Sequence, residues 1–541
     1  MNPYSGLIGI VTLLGLAWLF CPNRQAINWR LVISGLALQV FLAVFCLRVP
    51  FGRESFHVLG KGIERLLDFS NAGAGFVFGF LVNKPQQLES VFGTGSSFIF
   101  AFKLVPTIIF VATLVSIAYH LGIIQRLVRI VAWAVYKVMG ASGSEALSNA
   151  ASIFVGQVEA QLLIKPYLAT MTASELLAVM SGSMACIAGG VMAVYIQMGI
   201  PAELLLTASV MSVPGALVIS KLLLPETQMS LTQGEVKLEI KKESINLIDA
   251  AAHGASDGMK IGLNVCAMLI GFLALIGFAD FLIAKLGILL AQLGLSLQIL
   301  GLDLRHLTLN GILGTLFSLV ALILGVPAKE ASFVGSLMGT KMVTNEFVAY
   351  SMLAPKIASH GLSERSLAIA SVALCGFANF SSIAMQVGGI GEMAPSRKHD
   401  LARLGIKALL CGTMASYVSA ALAGLLLNLN NAPHVEWLTG GIMVTAVLLI
   451  VVSRWLPDGS QALEANLVFP SSPIPPNSPS RGRSKRILNI PARSRTQPVV
   501  TSKDDSSEVT MLPSGLPMIK SKTKSKAWTR PRLVKSESED L

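Results

Sequence analysis

Charged side chains are scarce in this chain, because Asp, Glu, Lys and Arg make up only 13% of its 541 residues. A soluble globular domain carries about 25% of them. Apolar residues make up 53%, and the mean hydropathy is +0.66. This composition excludes an ordinary soluble enzyme, a disordered protein and a disulfide-rich scaffold. It predicts an all-α membrane protein, a polytopic helical bundle.

Paired cysteines and nucleotide-binding motifs are also missing. The six cysteines stand singly and no CxxC occurs, so neither a disulfide framework nor a metal site is indicated. No cofactor is expected, and the lack of a P-loop argues against transport driven by ATP. Residues 7–20 lack a basic segment before them and a cleavage motif after them, so they are predicted as a first span rather than a signal peptide.

Long apolar runs are what the chain has instead. Because about 20 apolar residues cross a bilayer as a helix, the sequence predicts nine spans. They are residues 7–20, 31–47, 98–120, 176–200, 202–224, 261–282, 367–387, 406–427 and 437–455. In residues 53–69 and 121–139 charges alternate with apolar residues, which is typical of helices lying at the membrane surface.

Two regions are too polar for lipid-facing spans and too apolar for loops. Residues 142–165 are interrupted by Gly, Ser, Asn, Gln and Glu, and residues 307–350 are rich in glycine. Irregular backbone is tolerated at membrane depth where protein or a wet cavity covers it. Both regions are therefore predicted as re-entrant hairpins.

The two regions resemble each other. Each has a glutamate, then a proline, a Ser-Glu pair and, 11 residues after that pair's glutamate, a cysteine: Glu159, Pro166, Glu175 and Cys186, then Glu346, Pro355, Glu364 and Cys375. Repeated halves with interrupted helices indicate a transporter whose binding site lies between the repeats. Chance similarity in a chain rich in small residues is the alternative.

These patterns divide the chain into six parts. We predict N-terminal spans and a surface helix in 1–95, a first repeat in 96–225, a polar connector in 226–260, a second repeat in 261–430, an extra span in 437–455 and a basic tail in 457–541. The tail holds 11 prolines, with 14 Lys and Arg against 8 Asp and Glu. It cannot bury enough apolar surface to fold alone. Anionic lipid, an acidic partner or no partner remain open for it, and no nucleic-acid partner is expected.

Glu159 and Glu346 are the leading site candidates. A carboxylate within an apolar segment costs about 2.5–3.5 kcal/mol on insertion scales, so it is a functional candidate by default. Gly156 permits a tight turn beside Glu159, and Gln157 offers both a donor and an acceptor. Two buried carboxylates from two halves would face one cavity and bind a polar ligand. An interfacial glutamate in water is the alternative for Glu159.

A second polar group lies in the segment CGFANFSS, residues 375–382. Asn379 and Ser382 are three residues apart, a spacing that places both on one helix face. Phe377 can pack beside a ring. Packing of small residues is the alternative for Ser382. Lys341 is expected to pair with an anion or reach the interface rather than contact a ligand.

The chain resembles the concentrative nucleoside transporter family over about residues 1–427. The similar segments are FKLVPTIIF (102–110), IFVGQVE (153–159), KPYL (165–168), GTKMVTNEFVAY (339–350), ALCGFANFSS (373–382) and VGGIG (387–391). The resemblance implies an inverted repeat with interrupted helices, a homotrimer in the lipid bilayer, and symport of nucleosides such as uridine and adenosine with a cation. It does not imply an enzyme.

The resemblance also implies residue roles. The first hairpin tip, Gly156, Gln157, Val158 and Glu159, would contact the base, as would Val191. Glu346, Asn379 and Ser382 would contact the ribose, with Phe377 near the ligand. A coupling sodium would meet Ser152, the carbonyls of Val155 and Ile187, and Cys186; no other metal is implied.

Three departures from the family pattern limit which family properties can be assigned to this chain. Val158 stands where many members have Thr or Ser, so base preference cannot be carried over. Ser152 and Cys186 stand where sodium-coupled members have Asn and a hydroxyl residue. Sodium prefers oxygen donors, so proton coupling is favoured and sodium remains possible. The third departure is the span at 437–455, which bacterial members usually lack.

With nine spans and the N-terminus outside, the tail would be cytoplasmic, in agreement with the basic run 481–486. The predicted location is the plasma membrane, the inner membrane of a bacterium. Two alternatives of a different kind remain: a nucleoside-binding channel or sensor that signals through the tail, and a membrane-embedded hydrolase that uses the two glutamates.

Overall fold

The computed structural model describes residues 5–92, 99–232, 244–293, 306–428 and 435–456. Within these ranges the chain forms 21 α-helices and no β-strand. The predicted basic tail, 457–541, lies outside the described residues. The described part therefore agrees with the predicted all-α architecture.

Six helices precede the first repeat. They are α1 (Ser5–Leu19), α2 (Trp29–Leu47), α3 (Pro50–Asp68), α4 (Ser70–Phe78), α5 (Phe80–Asn83) and α6 (Pro85–Phe92). Helix α2 begins where the Asn28 side chain accepts a hydrogen bond from the Leu31 N–H, a typical N-cap. Helix α3 begins at Pro50, whose fixed φ suits a first helical turn, and it covers the predicted surface helix.

Two successive series of seven helices follow, and their members correspond one to one. The first contains α7 (Phe100–His120), α8 (Ile123–Met139), α9 (Gly143–Ala151), α10 (Glu159–Leu162), α11 (Ala173–Ala185), α12 (Gly189–Gln197) and α13 (Ala202–Leu223). The second contains α14 (Leu247–Gln292), α15 (Leu309–Leu324), α16 (Ala328–Val343), α17 (Glu346–Ala358), α18 (Glu364–Leu374), α19 (Phe380–Met393) and α20 (Lys398–Asn428), and α21 (Val435–Ser453) ends the described chain. The fifth and sixth members of each series are one interrupted helix.

All nine predicted spans are helical, but several differ in length or continuity. Six described segments are long and apolar enough to cross a membrane, or seven if α15 and α16, bent by 116°, count as one. The predicted spans 176–200 and 367–387 are each broken in two. The span predicted at 261–282 is the middle of the 46-residue α14, so residues 247–260 of the predicted connector are helical.

The predicted hairpins also differ from each other. The first consists of α9, an irregular tip at residues 152–158 and the short α10. The region 307–350 holds α15, α16 and the first turn of α17, and residues 344–345 between α16 and α17 are not helical. The second tip is therefore much tighter than the first.

Small residues allow α14 to lie close to α7. Gly254, Gly258 and Gly262 follow each other at four-residue spacing, and each has its Cα against the neighbouring helix α7. Without a hydrophobic driving force in lipid, such close approach gives helices their van der Waals contact. Most other side chains of α14 are exposed in the protomer.

A buried ion pair fixes the start of the first hairpin. Glu145 in the first turn of α9 lies 2.5 Å from the Nζ of Lys221, near the end of α13. The same Lys221 donates to the Ser174 hydroxyl at 2.9 Å in the first turn of α11. Ser142 and Glu145 also form a capping box. The hairpin base is thereby joined to both α11 and α13.

Candidate substrate site

The two interrupted helices meet at their breaks. Helix α11 ends at Ala185 and α18 ends at Leu374, each before a short non-helical stretch. Gly376, with φ of +137°, lies against the carbonyl of Ala185, where a Cβ would overlap backbone. The Phe377 N–H donates to the Cys186 carbonyl at 3.3 Å. A helix end leaves backbone groups without partners inside the helix. Here a backbone N–H in one break pairs with a backbone carbonyl in the other.

Glu346 lies beside this crossing and is only 5% exposed. It is the first residue of α17, after Asn345, whose side chain caps the helix by accepting from the Val348 N–H. One carboxylate oxygen accepts from the Tyr195 hydroxyl at 3.0 Å, and the other from the Asn379 amide at 3.1 Å. The structure thus brings Glu346 into contact with Asn379.

Tyr195 is a member of this site that the sequence did not single out. It lies in α12 and is fully buried, with its ring centroid 4.3 Å from that of Tyr350 and 5.8 Å from that of Phe347. These tilted ring contacts hold the phenol so that its hydroxyl points toward Glu346. A tyrosine in an apolar helix has no local pattern that would have identified it.

Asn379 and Ser382 are arranged as a cap rather than as two neighbours on a helix face. Asn379 precedes α19, and its side-chain oxygen accepts from the Ser382 N–H at 2.9 Å. The Ser382 hydroxyl is buried and has no hydrogen-bond partner among the described residues. A buried hydroxyl without a partner is costly, which marks it as a group that can meet a ligand.

Lys341 contacts the end of α18, next to the break in the second interrupted helix. Its ammonium is buried and donates to the Ala373 carbonyl at 2.8 Å, in the last turn of α18. Positive charge is favourable there because the last carbonyls of a helix lack partners. Lys341 is therefore buried against backbone, which differs from the expectation that it pairs with an anion or reaches the interface.

The first hairpin tip faces α19. Gln157 is buried, and its side-chain oxygen lies 3.4 Å from the amide nitrogen of Gln386. Val158 packs against Gly389, and the carboxylate of Glu159 folds over Gly156. Glu159 is exposed, which differs from the prediction of two buried carboxylates.

A cavity of about 410 Å³ opens between the tip and α19. Its lining residues are Val158, Glu159, Leu162, Lys165, Gly389, Glu392 and Met393. Glu346 is not among them, so the two glutamates do not share one cavity in this conformation. Val191 and Phe377, at the start of α12 and in the break before α19, are both partly buried.

The candidate cation residues lie at the ends of two helices. Ser152 is the C-cap of α9 and Cys186 is the C-cap of α11. Helix C-termini carry partial negative charge, which favours a cation. The Ser152 hydroxyl donates to the Ser148 carbonyl at 3.0 Å, and the Cys186 sulfur lies 2.7 Å from the Ser212 oxygen. The thiol is thus directed toward α13.

Three sequence-family models match consecutive parts of the chain. They are described as the N-terminus of a Na+ dependent nucleoside transporter (residues 8–81), as nucleoside recognition (residues 101–202) and as the C-terminus of a Na+ dependent nucleoside transporter (residues 204–424). Together they cover both repeats and the first helices.

Relatives and solved structures agree. The chain is 40% identical to the nucleoside permease NupC of Helicobacter pylori, over 78% of this chain and 98% of that protein. It is 42% identical to the uncharacterized transporter YutK of Bacillus subtilis, over 79% and 100%. A structure of CNTnw in an inward-facing substrate-bound state is 42% identical, with a TM-score of 0.73 over 80% of this chain and 100% of that one. These relatives are transporters and permeases rather than enzymes, and the chain therefore belongs to the concentrative nucleoside transporter family.

Proposed function

We propose that this chain imports nucleosides by symport with a cation, with protons favoured over sodium as the coupling ion. The observation that carries the proposal is the buried carboxylate of Glu346, held between Tyr195 and Asn379 near the unpartnered hydroxyl of Ser382. A carboxylate accepts two hydroxyl protons, and an amide and a serine can both donate and accept. This set suits the vicinal hydroxyls of a ribose.

The base would bind toward the first hairpin. Gln157, Val158 and Glu159 lie at the tip, and Val191 and Phe377 provide apolar contacts for a flat ring. The cavity beside the tip does not reach Glu346, so we propose that the tip moves toward the crossing when a nucleoside binds. Such closure would remove the nucleoside from water before the loaded site changes sides.

The coupling ion would act at the end of α9, next to the same tip. Ser152, the carbonyls of Val155 and Ile187, and Cys186 are the candidate ligands. A thiol is a poor ligand for sodium, and this thiol lies against Ser212 rather than standing free. These two features support proton coupling, and sodium bound by the remaining oxygens is the alternative.

Assembly and topology complete the proposal. We propose a homotrimer in the plasma membrane, the inner membrane if the source is bacterial. Helix α21 would carry the chain across the membrane once more and place the tail in the cytoplasm. Arg454, one residue after α21, agrees with that side.

Uptake into proteoliposomes tests the proposal. Labelled uridine and adenosine are supplied while a proton gradient or a sodium gradient is imposed alone, with an equilibrated vesicle as the control. Accumulation above equilibrium under the proton gradient is expected. Accumulation that requires sodium would contradict the coupling ion, and equilibration without accumulation would indicate a channel. A chain lacking residues 457–541 should still accumulate uridine, whereas a sensor acting through the tail would not accumulate it at all.

A further inference from the structure

A buried amide behind the hairpin tip has no role in the site described so far. Gln386 lies in α19, one turn after Ser382, and is fully buried. Its Nε2 donates to the Ser183 hydroxyl at 2.9 Å and to the Met180 carbonyl at 3.2 Å, both in α11. The same nitrogen lies 3.4 Å from the side-chain oxygen of Gln157. Gln386 therefore joins α11, α19 and the first hairpin tip.

These neighbours determine which end of the Gln386 amide faces them. A backbone carbonyl only accepts hydrogen bonds, so the Met180 carbonyl requires the nitrogen of Gln386 and not its oxygen. The Ser183 hydroxyl already directs its proton to the carbonyls of Val179 and Met180, at 3.0 and 3.1 Å. It can only accept from Gln386. Helix α11 thus fixes the orientation of this amide.

The orientation of Gln386 in turn fixes that of Gln157. The two hydrogens of the Gln386 nitrogen are shared among Ser183, Met180 and Gln157, and because this nitrogen only donates, Gln157 turns its oxygen toward it. The nitrogen of Gln157 then lies on the other side, 3.5 Å from the Met385 sulfur, which is a weak acceptor. Its donor capacity is therefore available to a ligand.

We propose that Gln386 is a positioning residue that makes Gln157 a hydrogen-bond donor toward the base, so that the transporter selects for an acceptor atom on the base edge. The inference rests on the proposed function, because it takes Gln157 to contact the base. Such an acceptor is a ring carbonyl oxygen or an unprotonated ring nitrogen. Val158, the next residue of the tip, has no polar side-chain atom that would contribute a second donor.

Inhibition of labelled uridine uptake by matched base analogues tests the proposal. Cytidine is compared with 3-deazacytidine, which lacks the ring nitrogen acceptor, and uridine with 4-thiouridine, whose sulfur accepts weakly. In the unaltered protein at least one analogue of these pairs should inhibit about three- to tenfold less well than its parent, the effect of one lost neutral hydrogen bond. No penalty for either analogue, with uridine uptake intact, would overturn the inference and leave the proposed function standing.

The variant Gln386→Glu reverses the orientation. Its side chain can present an oxygen to Gln157 whether or not it is protonated, so Gln157 would turn its nitrogen inward and its oxygen toward the base. The acceptor penalty, the factor by which an analogue inhibits less well than its parent nucleoside, should then fall to about one. Gln161→Met is the control, because Gln161 is a buried amide of the same hairpin that contacts the backbone oxygen of Gln157 and the Ser148 hydroxyl but not the Gln157 side chain. Its penalty should equal that of the unaltered protein.

A second variant makes the test independent of how well Gln386→Glu folds. Gln157→Glu keeps an acceptor for Gln386 and cannot donate to the base when ionised. It should also remove the acceptor penalty. An unchanged penalty in either variant would overturn the proposal, and failure of the unaltered protein to take up any nucleoside would instead overturn the proposed function.

Discussion

The substitution Glu346→Gln isolates the charge of the central carboxylate. Its two oxygens accept from Tyr195 and Asn379. A glutamine of the same size can accept from Asn379 with its oxygen and donate to the Tyr195 hydroxyl with its nitrogen. Tyr195 and Asn379 therefore each keep a hydrogen-bond partner, and the substitution leaves no cavity.

The expected cost falls on substrate binding. A hydrogen bond to a charged group is worth about 1.5–3 kcal/mol, so the half-saturating nucleoside concentration should rise at least about tenfold. The assay is initial uptake of uridine over a range of concentrations, normalised to the amount of protein in the membrane. The midpoint of thermal unfolding in detergent should change little.

Two further variants separate the roles of the neighbours. Glu346→Ala removes the partner of both Tyr195 and Asn379 and leaves a cavity, so it should lower thermal stability as well as affinity. Tyr195→Phe keeps the ring contact with Tyr350 and loses only the hydrogen bond to Glu346, so its effect should be smaller than that of Glu346→Gln. Uptake by Glu346→Gln with an unchanged half-saturating concentration would refute the assignment of Glu346 to the ribose.

Three other predictions concern the frame of the site. Gly376→Ala places a Cβ at positive φ against a backbone carbonyl and should destabilise the protein by about 1–3 kcal/mol or more in detergent unfolding; an unchanged midpoint would contradict the close crossing of the breaks. Lys221→Met leaves Glu145 buried without its cation and should cost about 3–5 kcal/mol, seen as a loss of folded protein that a second change, Glu145→Gln, partly restores; equal yields of the single and double variants would contradict the pair. Cys186→Ser combined with Ser152→Asn supplies oxygen ligands and should make uridine uptake respond to a sodium gradient; no response would argue against a cation site at these positions.

Hydropathy located the helices well and their ends poorly. A bilayer-length apolar run identifies a span, but α14 continues into a segment that contains Asp249, Asp257 and Lys260, which a span criterion leaves out. The interruption after Ala185 lies in small and apolar residues, and the one after Leu374 holds one polar residue, Asn379, so the hydropathy continues across both. Only the resemblance to a known family implied those breaks.

The Glu346 and Asn379 part of the candidate site could be predicted from the sequence, because both are polar residues in apolar surroundings. Tyr195 and Gln386 could not, since their importance arises from tertiary contacts with distant helices. The exposure of Glu159 agrees with the alternative that the sequence left open, an interfacial glutamate in water, and not with the predicted burial. The sequence shows that a carboxylate lies in an apolar hairpin, but the direction of its side chain depends on how the tip folds beside Gly156.

In the proposed function, the two halves of the chain bind the two ends of one nucleoside. The most direct test is the affinity of purified Glu346→Gln and Glu159→Gln, each compared with the unaltered protein, for uridine and for 3′-deoxyuridine. We expect loss of the ribose hydroxyl to weaken binding to the unaltered protein and to Glu159→Gln by a similar factor, and to weaken binding to Glu346→Gln much less. Equal factors in all three proteins would contradict it.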